Sequence, residues 1–455
     1  MKTYIRTDNN QSITLVKEIA TSGEGKVWQT NFNGYLAKIY HKPPTFEQLQ
    51  KLKVMLANPP KEPNAHHNHI SFAWCKSLLT DTNGNCVGFL MPEIKNAKEL
   101  LDIYNYRRRK ILKLEIDWRF LHTTALNIAS IIEAIHAKGY VLGDIKPQNI
   151  LVNNRALPSI IDTDSFQVSN PHTGKVYRCL VGSEGFTPPE LIGKDFATID
   201  QTEIHDRFRL ATIIYHLLFS DSPFSGQWKG AGETPQPSEI IRQGFWLYGK
   251  NSLIKPIERN ISLNVVHTQL QQHFIRCFSD GNKNPNLRPS AKEWVSALKL
   301  AVNELSLCGK VDSHYYMRSL GKCYWCDRAS HLGVDIFPAT GKAKPQSNVK
   351  YIDIVNLGQN QSAGFSNKKQ KSNEDTLEIF IAIIGQTIYC FFLFRAASFF
   401  YEIADTVNKS IASQPQYLWI NRIAIGGSYC LALFFIGLLI IMCWGIMKNL
   451  TELHD

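Results

Sequence analysis

The first ten residues, Met1 to Asn10, lack an apolar stretch, so no secretory signal peptide is expected. The ten cysteines lack the layout of a disulfide framework. Cys75, Cys86, Cys179 and Cys277 are scattered and three more fall in apolar C-terminal runs; only Cys308, Cys323 and Cys326 cluster. A reducing compartment fits that usage. No internal repeat is visible. The composition is free of extremes, at 44% hydrophobic and 20% charged residues, which excludes collagen, a coiled coil and wholesale disorder.

What is present begins with charge. Fifty Lys and Arg against 39 Asp and Glu give a net +11, which favours anionic partners such as nucleotides, nucleic acid or anionic lipid without choosing among them. At roughly 150 residues per domain, 455 residues allow about three units. Short strand-like segments come first, including Ser12 to Lys17 and Tyr35 to Tyr40. From Trp118 onward Ala125, Ile128, Ile132 and Ile135 recur at helical spacing, as do residues near Leu210 to Leu218. Strands followed by helices predict an α+β unit of two lobes.

A polar stretch, 337–376, reads as a flexible linker. Two apolar segments follow, 377–401 and 423–447, and about 20 helical residues suffice to cross a bilayer. Both are expected to be transmembrane helices, with Arg395 snorkelling from the first. Lys368, Lys369 and Lys371 before the first segment and Lys448 after the second predict that both ends face the cytoplasm.

The strongest chemical signal is Gly143-Asp144-Ile145-Lys146-Pro147-Gln148-Asn149, followed by an apolar run ending in Asp162. Phosphoryl transfer needs a carboxylate to orient the attacking hydroxyl, an amide oxygen and a second carboxylate for Mg²⁺, and a lysine to neutralise phosphate charge. Asp144, Asn149, Asp162 and Lys146 supply these types in one short stretch.

On those residues the chain resembles a two-lobed protein kinase catalytic domain. The resemblance covers about residues 12–302, within an expected kinase-like domain at 1–305 that has an N-lobe of about 10–93 and a C-lobe of about 95–302. It implies that Asp144 is the catalytic-loop aspartate, that Asn149 and Asp162 bind Mg²⁺ (or Mn²⁺), and that Lys146 contacts the transferring phosphate. Ala20 to Val27 is similar to a glycine-rich loop over ATP phosphates, with Gly23, Gly25 and Val27 at the nucleotide. Ala37-Lys38-Ile39 resembles the strand that carries the phosphate-bridging lysine, Lys38, and Glu47 on the following helix is its expected partner. Met91, Glu93 and Ile94 resemble the hinge that receives adenine. Ser183 falls where a hydroxyl sits near the catalytic aspartate. Glu190 is expected to pair with Arg288, and Asp206 to brace the catalytic loop.

The chain departs from that pattern in three places. Leu142-Gly143 stands in place of His-Arg before Asp144, leaving a phosphorylated activation loop without its arginine. The metal-binding triplet reads Asp162-Thr163-Asp164. Ala20 and Ser22 replace the first two glycines of the phosphate loop.

Beyond this region, Cys308, His314, Cys323 and Cys326 make a ligand set suited to structural Zn²⁺ in a zinc-ribbon-like module, 306–336, with His331 as rival to His314. Kinase-like motifs together with this cluster resemble a bacterial family of stress-associated, tellurium-resistance-type Ser/Thr kinases. That resemblance implies as partners a von Willebrand A-type protein and a PP2C-like phosphatase, besides a protein substrate and the lipid bilayer. The reading is therefore a membrane-tethered Ser/Thr protein kinase in stress signalling. The alternative is a pseudokinase scaffold that binds nucleotide and partners without turnover. A zinc-ribbon nucleic-acid binder is a third reading. It is disfavoured because Lys310, Arg318, Lys322 and Arg328 are too few for a dense basic patch.

Overall fold

The computed structural model of the chain describes residues 2–340, all within one compact unit. The expected spans, 377–401 and 423–447, and nearly all of the linker lie outside the described residues. Among the described residues no helix is long and apolar enough to cross a membrane.

The N-terminal lobe is a closed six-stranded barrel. Strands β1 (Thr3–Arg6), β2 (Ser12–Thr21), β3 (Gly25–Thr30), β4 (Tyr35–Tyr40), β5 (Ser77–Thr80) and β6 (Cys86–Pro92) run in the order β1-β2-β3-β4-β6-β5. β1 pairs with both β2 and β5, and so closes the sheet. It lies ahead of the expected lobe start near residue 10. Alternation sends Ile13, Leu15, Ala37, Leu79 and Leu90 into the barrel core. On the outer side helix α1 (Phe46–Ala57) packs Leu52 against Cys75, Leu78 and Phe89. A capping box between Thr45 and Gln48 starts α1.

The C-terminal lobe is mainly helical. Short strands β7 (Ala97–Glu99), β8 (Ile150–Asn153) and β9 (Pro158–Ile160) form one small sheet, and β10 (Val168–Ser169) and β11 (Val176–Tyr177) another. Helices α2 (Leu100–Tyr104) and α3 (Tyr106–Ile111) lead to α4 (Trp118–Ala137), the central helix. Asp117 caps α4 by accepting from the Phe120 amide, and most of its residues are buried. Helix α5 (Glu203–Phe219) packs beside α4, as does the later helix Ala291–Asn303.

The Cys/His segment does not form a separate body. Its helix, Tyr324–Leu332, places Trp325 edge-on to Trp118 of α4, with ring centroids 5.0 Å apart. Phe337 stacks edge-on to Trp325 and lies under the buried Arg109, which donates to the Ile336 carbonyl.

Two imidazoles of this lobe are withdrawn from water, His122 wholly and His216 in part. His122 donates from Nδ1 to the Trp118 carbonyl, while its Nε2 has no partner among the described residues. His216 lies between the Tyr104 and Phe186 rings. Burial pushes both down to about 4. The unfolded chain then binds protons below its pKa near 6.5 that the folded chain refuses. Stability is therefore expected to fall as pH drops from about 6.5 to about 4, by on the order of 3 kcal/mol per imidazole. Urea unfolding at pH 7 and pH 4.5 checks this, and His122→Leu should remove that residue's share of the slope.

Candidate active site

Between the lobes the chain assembles a charged cleft. Lys38 sits on β4, opposite Val27 of β3 and Phe89 of β6, and is buried. Its ammonium lies 3.0 Å from Asp162 Oδ1 and 2.8 and 2.7 Å from the two Asp164 oxygens. Glu24, from the β2–β3 turn, is 3.6 Å away. Burial alone would lower the Lys38 pKa; the Asp164 and Asp162 carboxylates outweigh it and push it up. Tyr40, two residues on, donates its hydroxyl to Asp164 at 3.1 Å.

The structure does not place Glu47 at Lys38. Glu47 is exposed and faces Lys175 at 3.5 Å. The register of α1 explains this correction. Glu47 stands in the exposed first turn of α1, and the residue buried one turn further on, on the same side of the helix, is Lys51. Asp164, the last residue of the triplet, accepts from Lys38 on both oxygens.

The turn over the cleft runs through Gly23 and Gly25. Gly23 is exposed. At Gly25 a Cβ would meet the Ile39 carbonyl oxygen at 2.5 Å, so β3 and β4 approach closely only because no side chain is there. Met91 lies on β6 opposite Leu36; Glu93 donates its amide to the Gly34 carbonyl, and Ile94 beside it is half-buried.

The loop after α4 carries the second group. Asp144 is buried; its Oδ2 accepts from Lys146 Nζ at 2.6 Å and its Oδ1 from the Ser183 hydroxyl at 2.7 Å. Asn149 donates its side-chain amide to the Asp144 carbonyl and accepts from the Ile161 amide with its own backbone oxygen. Asp162 follows directly after Ile161 with φ +58°. A left-handed, non-glycine residue is strained, and such strain concentrates at functional sites. Here it turns the carboxylate toward Lys38.

Asp206 of α5 fixes this loop. It is fully buried and accepts from the Leu142 amide at 2.7 Å, the Gly143 amide at 3.0 Å, His136 at 3.1 Å and Arg209 at 3.2 Å. Burial alone would raise its pKa; the His136 hydrogen bond and the Arg209 charge outweigh it and hold the carboxyl below its usual range. Glu190 and Arg288 form a bidentate pair at 2.6 and 2.7 Å, with Arg288 also donating to the Gly281 carbonyl.

The departures acquire physical reasons. Gly143 has φ +75°, and a Cβ there would strike Cys179 at 2.6 Å. The space that an arginine would need belongs to the segment after β11. That segment is held without a phosphate: Gln201 donates to the Cys179 carbonyl, Gln167 and Gln201 bond mutually, Arg209 donates to Gln201, and Arg178 pairs with Asp200 at 2.7 Å. Thr163 is buried with its hydroxyl on the Ala73 carbonyl. The aromatic that packs below is Phe166, against Trp74 at 6.2 Å. Sequence reasoning missed this role, although Phe166 lies only four residues after Asp162.

At the far end, Cys308, His314, Cys323 and Cys326 offer ligand atoms all within 4.8 Å of one another. Cys308 and Cys326 sulfurs are 3.6 Å apart, and His314 Nδ1 is 3.6 and 3.5 Å from Cys323 and Cys326. Bonds of about 2.3 Å to sulfur around a tetrahedral ion would separate ligands by about 3.7 Å. His314 Nε2 faces Asp335 at 3.0 Å, which orients the ring and leaves Nδ1 toward the sulfurs. The donor set thus fits a zinc-type ion. His331 instead pairs with Glu258 on the surface.

Comparison with known proteins agrees with this geometry. Residues 72–298 match the protein kinase domain family. The match begins after β4, so the placement of Lys38 and the glycine turn rests on the structure. The chain is 32% identical over 333 residues to protein kinase YegI of Escherichia coli O157:H7, covering 72% of this chain and 50% of that protein. It is also 32% identical over 214 residues to human 3-phosphoinositide-dependent protein kinase 1, covering 47% of this chain and 34% of that one. The chain spans about half the length of the curated bacterial relatives it matches.

Removing Asp206 would leave two loop amides without acceptors and Arg209 buried without its carboxylate. Asp206→Ala is expected to cost about 3–5 kcal/mol in chemical denaturation, with Asp206→Asn costing less because it keeps one acceptor.

Proposed function

Since residues 72–298 form a protein kinase domain, we propose that the chain transfers the γ-phosphoryl of ATP to Ser or Thr hydroxyls of a protein substrate. The observation that carries this is the Asp144 carboxylate, buried between Lys146 and the Ser183 hydroxyl and facing the same cleft as Lys38 and Asp162. Asp144 orients the incoming hydroxyl and takes its proton as the new O–P bond forms. The bond from the γ-phosphorus to the bridging oxygen breaks, and ADP leaves. Lys38 neutralises charge on the non-transferred phosphates, and Lys146 on the phosphoryl in transit. Asn149 and Asp162 would hold Mg²⁺, which screens phosphate charge when bound. The residues suit it: one carboxylate and one amide oxygen, hard donors, at the mouth of the cleft.

Support for Ser/Thr over Tyr is the Lys146-Pro147-Gln148-Asn149 pattern and the serine hydroxyl already seated on Asp144. Support for membrane tethering, with the catalytic part on the cytoplasmic side, is the pair of apolar segments 377–401 and 423–447. Tethering would raise the local concentration of the kinase near membrane substrates. The family resemblance supports a role in stress signalling with a von Willebrand A-type protein and a PP2C-like phosphatase. Structural Zn²⁺ would be held by Cys308, His314, Cys323 and Cys326.

Phosphoryl transfer by the purified full-length chain, with labelled ATP and Mg²⁺ or Mn²⁺, tests the reading. Label is expected on Ser or Thr, and Asp144→Asn should reduce the rate by about 10²–10⁴-fold. Nucleotide binding without any label would replace the kinase by the scaffold reading. For the metal, one zinc per chain is expected by elemental analysis. Cys326→Ser should lose it and lower the melting temperature of the catalytic domain, because Trp325 packs on Trp118.

A further inference from the structure

The site leaves one buried cation without a task. Lys51 of α1 is buried, lies beside Leu52 on the inward side of the helix, and makes no hydrogen bond or ion pair among the described residues. It lies within electrostatic reach of Asp164 and of Lys38. The helix that should bring a carboxylate to Lys38 brings a second ammonium instead. Two buried ammonium groups within electrostatic reach of each other repel unless a carboxylate lies near both. Asp164 is that carboxylate. It is itself buried, it takes Lys38 on both oxygens at 2.8 and 2.7 Å, and Tyr40 donates to it from the Lys38 strand.

Asp164 also sits two residues beyond Asp162, so one short turn carries both carboxylates of the cleft. The turn is fixed from below, by Thr163 on the Ala73 carbonyl and by Ser165 on the Asp162 carbonyl. A carboxylate on a turn tied to the backbone at two points is well placed to hold a lysine.

We propose that Asp164 is the positioning residue of Lys38, supplying from the loop the carboxylate that α1 lacks, with Lys51 as its countercharge on the helix. The charges of helix and loop are thus exchanged relative to the arrangement expected from the sequence. Lys38 is set for the nucleotide phosphates whatever the position of α1, and Asp164 is not a metal ligand. The inference rests on the kinase reading above.

Charge relocation tests it in the full-length chain. Asp164→Asn is expected to lower kcat by about tenfold or more at saturating ATP, while the Mg²⁺ requirement stays within about twofold. Lys51→Glu/Asp164→Asn, which moves the carboxylate to the helix, should recover most of that loss. A second readout needs neither turnover nor nucleotide. Melting temperatures of Lys38→Met, Asp164→Asn and their combination should be non-additive, the double variant melting no lower than the worse single one. Additive melting shifts overturn the pair. A tenfold rise in the Mg²⁺ requirement of Asp164→Asn makes Asp164 a metal ligand and overturns the proposal, as does absence of recovery in the relocated variant. If the unmutated chain transfers no phosphoryl, the kinase reading fails separately, and the melting cycle alone decides whether Asp164 holds Lys38.

Discussion

The buried carboxylate of Asp206 is the point on which the catalytic arrangement depends. It gathers four donors, from the end of α4, from two consecutive loop amides and from α5 itself. A hydrogen-bonded charge in a low-dielectric interior is stiff, since moving any partner leaves another unsatisfied. The loop amides belong to Leu142 and Gly143, so the next residue, Asp144, inherits a fixed position. From there the constraint propagates outward: Asn149 is tied to the Asp144 carbonyl, Ile161 to Asn149, and Asp162 follows Ile161 in a strained turn.

The same chain of constraints explains how the protein does without an arginine before Asp144. An arginine there would need a charged partner on the following segment, typically a phosphate. Gly143 gives that space to Cys179, and the segment is closed by amide groups of Gln167 and Gln201 with Arg209 behind them. These contacts, with the Arg178–Asp200 pair, are made by the chain's own side chains, whereas a phosphate must be added. The geometry around Asp144 therefore requires no modification to form, and Ser183 already rests on that carboxylate.

Much of this was legible in the sequence because it rests on short, contiguous motifs. Asp144, Lys146 and Asn149 lie within six residues, and their spacing alone sets them on one loop. The Cys-x-x-Cys pair and His314 were legible for the same reason, and Asp206 and the Glu190–Arg288 pair could be read from the order of motifs. The partner of Lys38 was not. Glu47 and Lys51 lie one turn apart on the same side of α1, so which of them the barrel buries depends on how far along the sheet the helix begins, which the sequence does not give. Phe166 was missed because its position is set by a short 3₁₀ turn after Asp162 that carries the chain past Thr163. β1 was missed because four residues with little alternation become a strand only through pairing with β2 and β5.

The Cys/His cluster raises a question of energetics that its ligands alone do not answer. A module this small cannot bury much apolar surface and would ordinarily depend on its metal for folding. Here it also depends on its host. Trp325 and Phe337 are buried against Trp118 and Arg109, residues of the helices that build the C-terminal lobe. The dependence is mutual, because Arg109 is buried with its charge satisfied partly by the Ile336 carbonyl and the Phe337 ring. Releasing the module would strand that guanidinium against apolar neighbours, at the cost of an unpaired buried charge. Metal binding at Cys308, His314, Cys323 and Cys326 would therefore act on α3 and α4 as well as on its own ligands. His136 in the last turn of α4 holds Asp206. The Cys/His cluster packed at one end of α4 and the loop of Asp144 at the other are thus joined by a single packed helix.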